Sequence, residues 1–560
     1  MLFIVAVFSS VYALHVTESI WRGVGKLSVP SVHAGDDIAV GSEAGVVALL
    51  SANDGNVKWR RKFESGPVIR LGVTQDGFVA AETRTERLFF AVADGSPAEF
   101  NSSKALLHKT ASLSQGKDWV IEARAGGELI WRRDEALTAL TCAAVINSER
   151  LGEMHVSQAE SKMEHILVGY SEKANLLLGF SLSRGFTRWR MSLPTGESVT
   201  SISIHGGKVK ALTESGAILI IDPQTGATST EHADGLRYTV KFEGQLVGFR
   251  GDVKSWSVEI PERFLSLTKL SQPQETIPVT VKGSDASVLF KYLNPNLVGL
   301  TSQSEEGIHF RLIDSITGRI VWAGIAAGAS GPVYSLVCDN WFLAHFFVPS
   351  SNQWEVLVVE LFEPRKDLGV FDLIKKSFAN ARTSSAYDLP TTPWAISKRF
   401  IFTAGPVTSL GVSSTAKGVS PRTILFALSS QQVLAINKDG ILSARRPSKV
   451  REILEGTEDD GLLPYHPEVE FHFPSVVSHS HLLPEISSVL SAPTPLESTS
   501  LVVTLGLDIF SVPVRCPSLY DALDPSFDFQ MLATSLAVVG LAILVSHALA
   551  MRREKAERWK

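Results

Sequence analysis

The chain has 560 residues, 44% hydrophobic content and a formal net charge of −5, which fits globular material divided into two to four domains. The modest charge argues against nucleic acid as a partner. Only three cysteines occur, Cys142, Cys338 and Cys516, so the sequence excludes a small disulfide-stapled scaffold, and their spacing suggests neither a redox motif nor a zinc site.

The N-terminus is predicted to be a secretory signal peptide over residues 1–13. Leu2 to Val11 is apolar, and Val11-Tyr12-Ala13 fits the small-residue cleavage pattern, with a signal anchor as the alternative. Asn101-Ser102-Ser103 is an N-glycosylation sequon, so Asn101 is the predicted glycosylation site of a lumenal loop.

A repeated unit recurs through the first 350 residues: two strand-like runs, a turn that ends in Gly, and a Trp four residues later. Its full copies are Gly55 with Trp59, Gly127 with Trp131, Gly185 with Trp189, and Gly318 with Trp322, while copies at Gly95 and Gly226 lack the Trp. The spacing of about 40 residues is that of a propeller blade. The sequence therefore predicts an all-β fold with a lumenal β-propeller of seven or eight blades over residues 14–370.

The repeat has a physical cause. A tight turn needs a positive φ, which Gly adopts without steric cost. A Trp at the start of the next strand can then bury its ring between neighbouring blades. We therefore predict structural roles for these Gly and Trp residues.

The form D-x-x-T-G-x-x-x-W at Asp314 to Trp322 resembles the repeat of pyrroloquinoline quinone dehydrogenases. A quinoprotein enzyme would also need a catalytic Asp, a calcium site and aromatic residues that stack on the cofactor, and the sequence shows no such set. The histidines His466, His472, His479 and His481 match no zinc motif. No catalytic, cofactor-binding or metal-binding residue is predicted, and the chain is not expected to be an enzyme.

Strand-like runs return at residues 424–440 and 501–514, which predicts a smaller lumenal β domain over residues 371–516. Residues 517–530 then predict an amphipathic juxtamembrane segment. Residues 531–551 carry no charged side chain and are long enough for a transmembrane helix. The basic tail, residues 552–560, is expected in the cytosol.

The C-terminal region carries five signatures in order: RRP at Arg445, LPYHPEV at Leu463, AP-x-x-LEST from Ala492, LVV-x-x-GLDI from Leu501, and YDAL-x-x-x-FDF from Tyr520. In these the chain resembles subunit 1 of the ER membrane protein complex. WR-x-x-G at Trp21 to Gly25 extends the resemblance to the front of the chain. The motif residues carried by the resemblance are Leu496, Glu497, Ser498, Thr499, Gly506, Leu507 and Asp508.

Members of that family are longer and carry two propellers, one inserted in the course of the other. This chain lacks most of the middle material, so we expect one propeller followed by the smaller β domain. A composite propeller closed by the C-terminal strands is the alternative.

The resemblance implies a non-catalytic lumenal scaffold subunit that supports insertion of tail-anchored and multipass proteins into the endoplasmic reticulum membrane. It implies a single-pass type I topology, with the other complex subunits, the bilayer and client membrane proteins as partners and with no cofactor. The alternatives are a membrane-anchored quinoprotein-type oxidoreductase and a lumenal client-binding sensor.

Overall fold

The computed structural model is built mostly from β-strands and has one long C-terminal helix. It describes residues 18–74, 76–98, 113–125, 128–147, 164–194, 196–205, 207–231, 238–251, 253–270, 280–282, 288–363, 392–442, 467–469, 475–516 and 529–559. The predicted signal peptide, Asn101, Gly127, the RRP motif and the juxtamembrane segment lie outside these residues, apart from Phe529 and Gln530.

The first strand, β1 (Ser19–Arg22), is followed by three antiparallel sheets that we call N1, N2 and N3. N1 contains β2 (Val32–Ala34), β3 (Asp37–Gly41), β4 (Val46–Leu50) and β5 (Val57–Lys62). N2 contains β6 (Arg70–Val73), β7 (Phe78–Glu82), β8 (Arg87–Ala91) and β9 (Pro97–Ala98). N3 contains β10 (Leu113–Gln115), β11 (Val120–Ala125) and β12 (Glu128–Asp134), and a 3₁₀ turn (Ala136–Ala139) follows it.

Seven further sheets, which we call blades 1 to 7, follow N3 in the chain. Blade 1 contains β13 (Leu140–Asn147), β14 (His165–Ser171), β15 (Leu176–Ser181) and β16 (Phe186–Ser192). Blade 2 contains β17 (Val199–His205), β18 (Lys208–Thr213), β19 (Ile218–Ile221) and β20 (Thr228–Glu231). Blade 3 contains β21 (Tyr238–Phe242), β22 (Leu246–Arg250) and β23 (Val253–Val258).

Blade 4 begins with β24 (Arg263–Lys269), is interrupted by the hairpin of β25 (Thr280–Lys282) and β26 (Val288–Phe290), and continues with β27 (Leu297–Gln303), β28 (Gly307–Asp314) and β29 (Ile320–Ala327). Blade 5 contains β30 (Ser330–Cys338), β31 (Trp341–Val348), β32 (Gln353–Phe362) and β33 (Trp394–Phe402). Blade 6 contains β34 (Val407–Val412), β35 (Thr423–Leu428) and β36 (Val433–Asn437), followed by the short helix α1 (Lys438–Ile441). The short strand β37 (Glu468–Val469) pairs in parallel with β33.

Blade 7 joins the first and the last of the described strands. It contains β38 (Ser488–Pro493), β39 (Thr499–Leu505) and β40 (Asp508–Arg515), and β1 pairs with β40 as its outermost strand. Ser19 lies opposite Ser511 and Arg22 lies opposite Asp508. The last blade is therefore completed by the first strand of the chain.

The blades follow one another in a ring, and buried apolar clusters lie between neighbours. Such clusters join blades 1 and 2, 3 and 4, 4 and 5, 5 and 6, 6 and 7, and 7 and 1. The first strands of neighbouring blades meet at the centre of the ring. Blades 2 and 3 meet instead at an open cleft. This arrangement confirms the predicted all-β propeller fold.

Tryptophan side chains join each sheet to the next by packing on the glycine of the neighbouring sheet's last turn. A Cβ on that glycine would come within 2.7 Å of the indole in each case: Trp59 on Gly95, Trp131 on Gly55, Trp189 on Gly226, and Trp256 on Gly318. Trp322 packs near Phe342, with 6.4 Å between ring centroids. Gly185 has φ +70° and an open surrounding.

The same contacts give the spatial order of the N-terminal sheets as N3, N1, N2. Trp59 of N1 packs on N2, which follows it in the chain, but Trp131 of N3 packs back on Gly55 of N1. Apolar clusters likewise join N1 to N2 and N1 to N3. N3 thus occupies the place next to N1 that the last blade of a closed propeller would occupy.

The predicted boundary between residues 14–370 and 371–516 falls within blade 5. Strand β33 pairs with β32 along its whole length, from Glu355 opposite Ile401 to Phe362 opposite Trp394. Residues 364–391 lie between the two strands in the sequence, yet the strands are hydrogen-bonded to each other. Pairing of β1 with β40 corresponds to the alternative of closure by the C-terminal strands.

Helix α2 (Phe529–Arg558) contains the predicted span, residues 531–551. It is the one described helix long and apolar enough to cross a membrane, and none of its apolar window is buried within the described part of the chain. The helix continues into the basic tail, where Arg558 pairs with Glu554 at 2.7 Å.

Candidate functional site

The motif residues of the C-terminal region meet the N-terminal WR-x-x-G segment at the edge of blade 7. Gly23 lies so close to this edge that a Cβ on it would stand 2.1 Å from the carbonyl oxygen of Leu507. Gly506 is similarly confined, because its Cβ would lie 2.5 Å from the carbonyl oxygen of Glu485. The GLD segment therefore serves as the contact between the ring and sheet N1.

Asp508 holds this contact together by an ion pair and a hydrogen bond. Its carboxylate is 4% exposed and accepts hydrogen bonds from the Gly23 N–H (3.1 Å) and from both terminal nitrogens of Arg60 on strand β5, one of them at 2.6 Å. Arg60 also donates to the Gly23 carbonyl oxygen at 2.7 Å. Bidentate arginine–carboxylate pairs combine strength with a fixed geometry. The pair therefore orients N1 against blade 7.

A second carboxylate stands on the other side of the same segment. Glu135 is fully buried and accepts the N–H groups of Val24 and Gly25, each at 2.8 Å, while Arg133 binds its other oxygen. The Arg133 guanidinium lies 5.1 Å from the centroid of the Trp21 ring. Because buried backbone donors are costly to leave unpaired, Glu135 fixes the path of residues 23–25 between ring and N-terminal sheets.

Glu497, in the LEST motif of blade 7, organises the loop of blade 6 that connects β34 to β35. One carboxylate oxygen accepts from the Thr415 hydroxyl (2.8 Å), the Val419 N–H (2.7 Å) and the Ser420 N–H (3.1 Å), and the other accepts from the Lys417 N–H (2.7 Å). Burial opposes ionisation, but the hydrogen bonds outweigh it and hold the pKa of the Glu497 carboxyl below its usual value. The residue is therefore ionised at neutral pH and fully engaged.

The other LEST residues shape their own turn. Thr499 donates its N–H to the Leu496 carbonyl oxygen at 3.2 Å, and the Ser498 carbonyl oxygen accepts from Cys516 at 2.7 Å. None of the three cysteines forms a disulfide with another described cysteine; Cys338 and Cys516 are buried and Cys142 is partly buried. Burial raises the pKa of the Cys142 thiol.

Several residues of this site have no signal in the sequence patterns. Arg60, Arg133 and Glu135 are ordinary charged residues in the printed sequence, and only the fold brings them to the WR-x-x-G segment. Trp256 follows Gly251 by five residues, whereas the repeat has a spacing of four. A search for the repeat that allowed one extra residue would have found it. No spacing in the sequence indicates that N3 lies beside N1.

Two of the histidines noted in the sequence are described. His481 lies 2.7 Å from the Glu18 carboxylate and packs against Phe510 with 5.7 Å between ring centroids. Within the described residues, no group of three or more His, Cys, Asp or Glu side chains is placed to hold a metal ion.

Comparison with known proteins identifies the motif region. The family model described as ER membrane protein complex subunit 1, second beta-propeller, matches residues 204–518. The chain belongs to this family. The matched range runs from blade 2 to the end of blade 7, so the Glu497 and Asp508 contacts lie at the C-terminal end of the family's second propeller.

Curated relatives are similar to about half of the chain. ER membrane protein complex subunit 1 of Gallus gallus is 28% identical over 333 residues, which are 57% of this chain and 32% of the relative. The Schizosaccharomyces pombe protein of the same name is 31% identical over 275 residues, 49% of this chain and 30% of the relative. The matching part thus spans about a third of the length of these relatives.

Solved structures similar to the chain include BamB from Moraxella catarrhalis, at 13% identity, covering 63% of this chain and 99% of that one with a TM-score of 0.22. The C-terminal WD40 domain of Sif2 is 10% identical and covers 76% of this chain and 99% of that one, with a TM-score of 0.24. Scores this low support no conclusion about function.

Proposed function

We propose that the protein is a non-catalytic scaffold subunit of the ER membrane protein complex, anchored in the endoplasmic reticulum membrane by α2. In this role the propeller stands on the lumenal face and the basic tail lies in the cytosol. The assembly would support insertion of tail-anchored and multipass proteins. Family membership supports this proposal, and the use of the family motifs supports it further.

The observation that carries the proposal is that both motif carboxylates are hydrogen-bonded to other parts of the protein. Glu497 accepts four hydrogen bonds from one loop, and Asp508 is bound by Arg60 and Gly23. A catalytic carboxylate must present an oxygen to substrate or water, whereas these oxygens hold parts of the protein to each other. Such use favours a scaffold over an oxidoreductase.

Helix α2, which follows this region in the sequence, would connect the scaffold to a membrane assembly. Many of its large side chains are more than half exposed, among them Leu536, Val538, Leu541 and Leu544. In a bilayer this surface faces lipid or other helices, and close helix contacts favour small residues such as Gly540. We infer that α2 joins the complex's membrane bundle.

Purification in mild detergent tests the proposal. A C-terminally tagged full chain should bring down several other membrane proteins in a fixed ratio, measured by quantitative mass spectrometry. Gly540→Leu places a large side chain where α2 has a small one, and this variant should recover fewer of these proteins. Leu544→Ile changes only the shape of an exposed side chain and should recover as many as the wild type. Recovery of a monomer with bound quinone and dehydrogenase activity would contradict the proposal.

Topology has its own test. Intact microsomes should protect the propeller from added protease and leave the tail after Met551 accessible. Endoglycosidase treatment should shift the mobility of the chain, and Asn101→Gln should abolish that shift. A protease-accessible propeller in sealed microsomes would overturn the proposed orientation.

A further inference from the structure

Blade 3 has three described strands, and Trp256 shows which strands they are. In sheets N1 and N3 and in blades 1 and 4, the interblade Trp lies opposite a residue next to a bulge in the pairing of the last two strands, as Trp189 does opposite Gly179 and Trp322 opposite Leu312. In blade 3, Trp256 lies opposite Gly248, and the bulge follows at Gly248 and Phe249. Strands β22 and β23 are therefore the third and fourth strands, and β21 is the second.

The innermost position of blade 3 consequently holds no strand among the described residues. Strand β21 pairs with β22 on one side and with no described strand on the other. A sheet edge of this kind presents a row of backbone donors and acceptors that can pair with another chain.

The backbone groups at this edge can be assigned from the neighbouring turn. Glu243 donates its N–H to the Gln245 carbonyl oxygen at 2.9 Å. Bonded and non-bonded pairs alternate along an antiparallel ladder. Thr239 and Lys241 therefore bond to β22, and the N–H and C=O of Val240 point toward the open edge.

A cleft of about 300 Å³ lies at this innermost position, where the described residues place no strand. It lies between β17 of blade 2, β21, and β24 of blade 4, and the described residues of blades 2 and 3 share no apolar cluster there. Leu212, Val240, Leu267 and Leu297 supply apolar walls. Of the described residues that line it, Lys269 alone is charged, and its side chain is exposed.

We propose that this cleft binds an extended peptide segment of a partner protein, which adds to β21 as the innermost strand of blade 3 and pairs an acidic side chain with Lys269. The extended conformation follows from the position, because only a strand can bond to the edge of β21 and lie between β17 and β24. The cleft volume fits a segment of a few residues. Apolar side chains on the segment fit the leucine walls, and the charge of Lys269 selects a carboxylate.

Fluorescence anisotropy with the detergent-purified full chain tests the proposal. The probe is the fluorescein-labelled peptide Val-Glu-Val-Thr-Val, acetylated and amidated at its ends, and its counterpart carries Lys in place of Glu. The wild-type chain should bind the Glu probe saturably and the Lys probe at least about tenfold more weakly, as expected for a hydrogen bond between charged groups. Lys269→Glu should reverse this preference.

Two further variants separate strand addition from general charge attraction. Lys241→Glu changes an exposed lysine on the same strand, whose side chain packs over Phe249 instead of lining the cleft, and should leave the affinity unchanged. Val240→Pro removes the outward N–H while sparing the bonds to β22, and should weaken binding of both probes. Its thermal unfolding is measured alongside, and if it does not fold, the Lys269 reversal decides.

Absence of saturable Glu-probe binding to the wild-type chain would overturn the proposal, since it would mean that the edge is closed to other chains. Equal binding of both probes by the wild-type chain and by Lys269→Glu would also overturn it. Occupation by a second copy of this chain would instead give concentration-dependent dimers that the Glu probe does not dissociate.

Discussion

Replacing Glu497 by glutamine removes one charge and changes one atom, and so measures what the LEST carboxylate contributes to the propeller. The amide oxygen can still accept from Thr415, Val419 and Ser420. The amide nitrogen then faces the Lys417 N–H, which lies 2.7 Å from the carboxylate in the native protein. In the opposite orientation three donors lose their acceptor instead of one, so the first orientation is the less costly.

The expected loss follows from this geometry. A hydrogen bond to a charged group contributes about 1.5–3 kcal/mol, and a buried donor left without an acceptor costs about 1–3 kcal/mol. We expect Glu497→Gln to lower the free energy of unfolding by about 3 kcal/mol. For a unit of roughly 300 ordered residues, an unfolding entropy of about 2.1 cal/mol/K per residue converts this loss into a Tm lowered by about 5 °C.

Thermal unfolding followed by tryptophan fluorescence, with the full chain in detergent, provides the measurement. Glu259→Gln makes the same chemical change at an exposed position of the ring and should alter stability by less than about 0.5 kcal/mol. The pH dependence of stability provides a second, independent measurement. Because the pKa of Glu497 is lower in the folded protein than in the unfolded chain, its stabilisation is present above about pH 4.5 and is lost as pH falls further.

The difference in Tm between wild type and Glu497→Gln should therefore be full at pH 7 and shrink as the pH is lowered below about 4.5. A difference that is the same at pH 7 and in acid would refute the reasoning, because it would show that the charge contributes nothing. A Tm change no larger than that of Glu259→Gln at pH 7 would refute it as well.

Three other changes test separate parts of the structure. Asp508→Asn leaves the partly buried Arg60 without its ionic partner and should cost about 3 kcal/mol in denaturant unfolding; a double-mutant cycle with Arg60→Ala that shows no coupling would contradict the pairing. Gly226→Ala forces a Cβ to within 2.7 Å of an indole, whereas Gly185→Ala meets only its positive φ, so the first should lower Tm clearly more than the second. Burial lowers the pKa of His345 to about 4, so the unfolded chain binds an extra proton below about pH 6.5, and stability should fall by up to about 3 kcal/mol as the pH drops from 6.5 to 4. His345→Phe should abolish that part of the pH dependence, and an unchanged slope would contradict it.

The propeller could be predicted from the sequence because its repeat is local. A turn glycine and a tryptophan four residues later need only the blade in which they lie, so Gly55, Gly185 and Gly318 stand out in the printed chain. The membrane span has the same property, since its length and lack of charge are read directly. Both predictions depend on contacts between residues close in sequence.

The order of the sheets could not be predicted in this way. Pairing of β1 with β40, and packing of Trp131 on Gly55, join residues far apart whose local sequence says nothing about their partners. The boundary at residue 370 was suggested by a change in composition, yet β32 and β33 continue one sheet across it. Motif residues such as Asp508 were recognised by resemblance, but their partner Arg60 was not, because a buried ion pair has no fixed spacing.

Pairing of β1 with β40 also determines when blade 7 can be completed during synthesis of the chain. Ser19 leaves the ribosome 492 residues before its partner Ser511, so blade 7 stays incomplete until all of the residues between them have been synthesised. Contacts of such long sequence separation form slowly. Meanwhile β1 is a free strand that a chaperone could hold, and the ring closes only about when α2 is ready to enter the membrane. Assembly of the propeller and anchoring of the chain are thereby brought together in time.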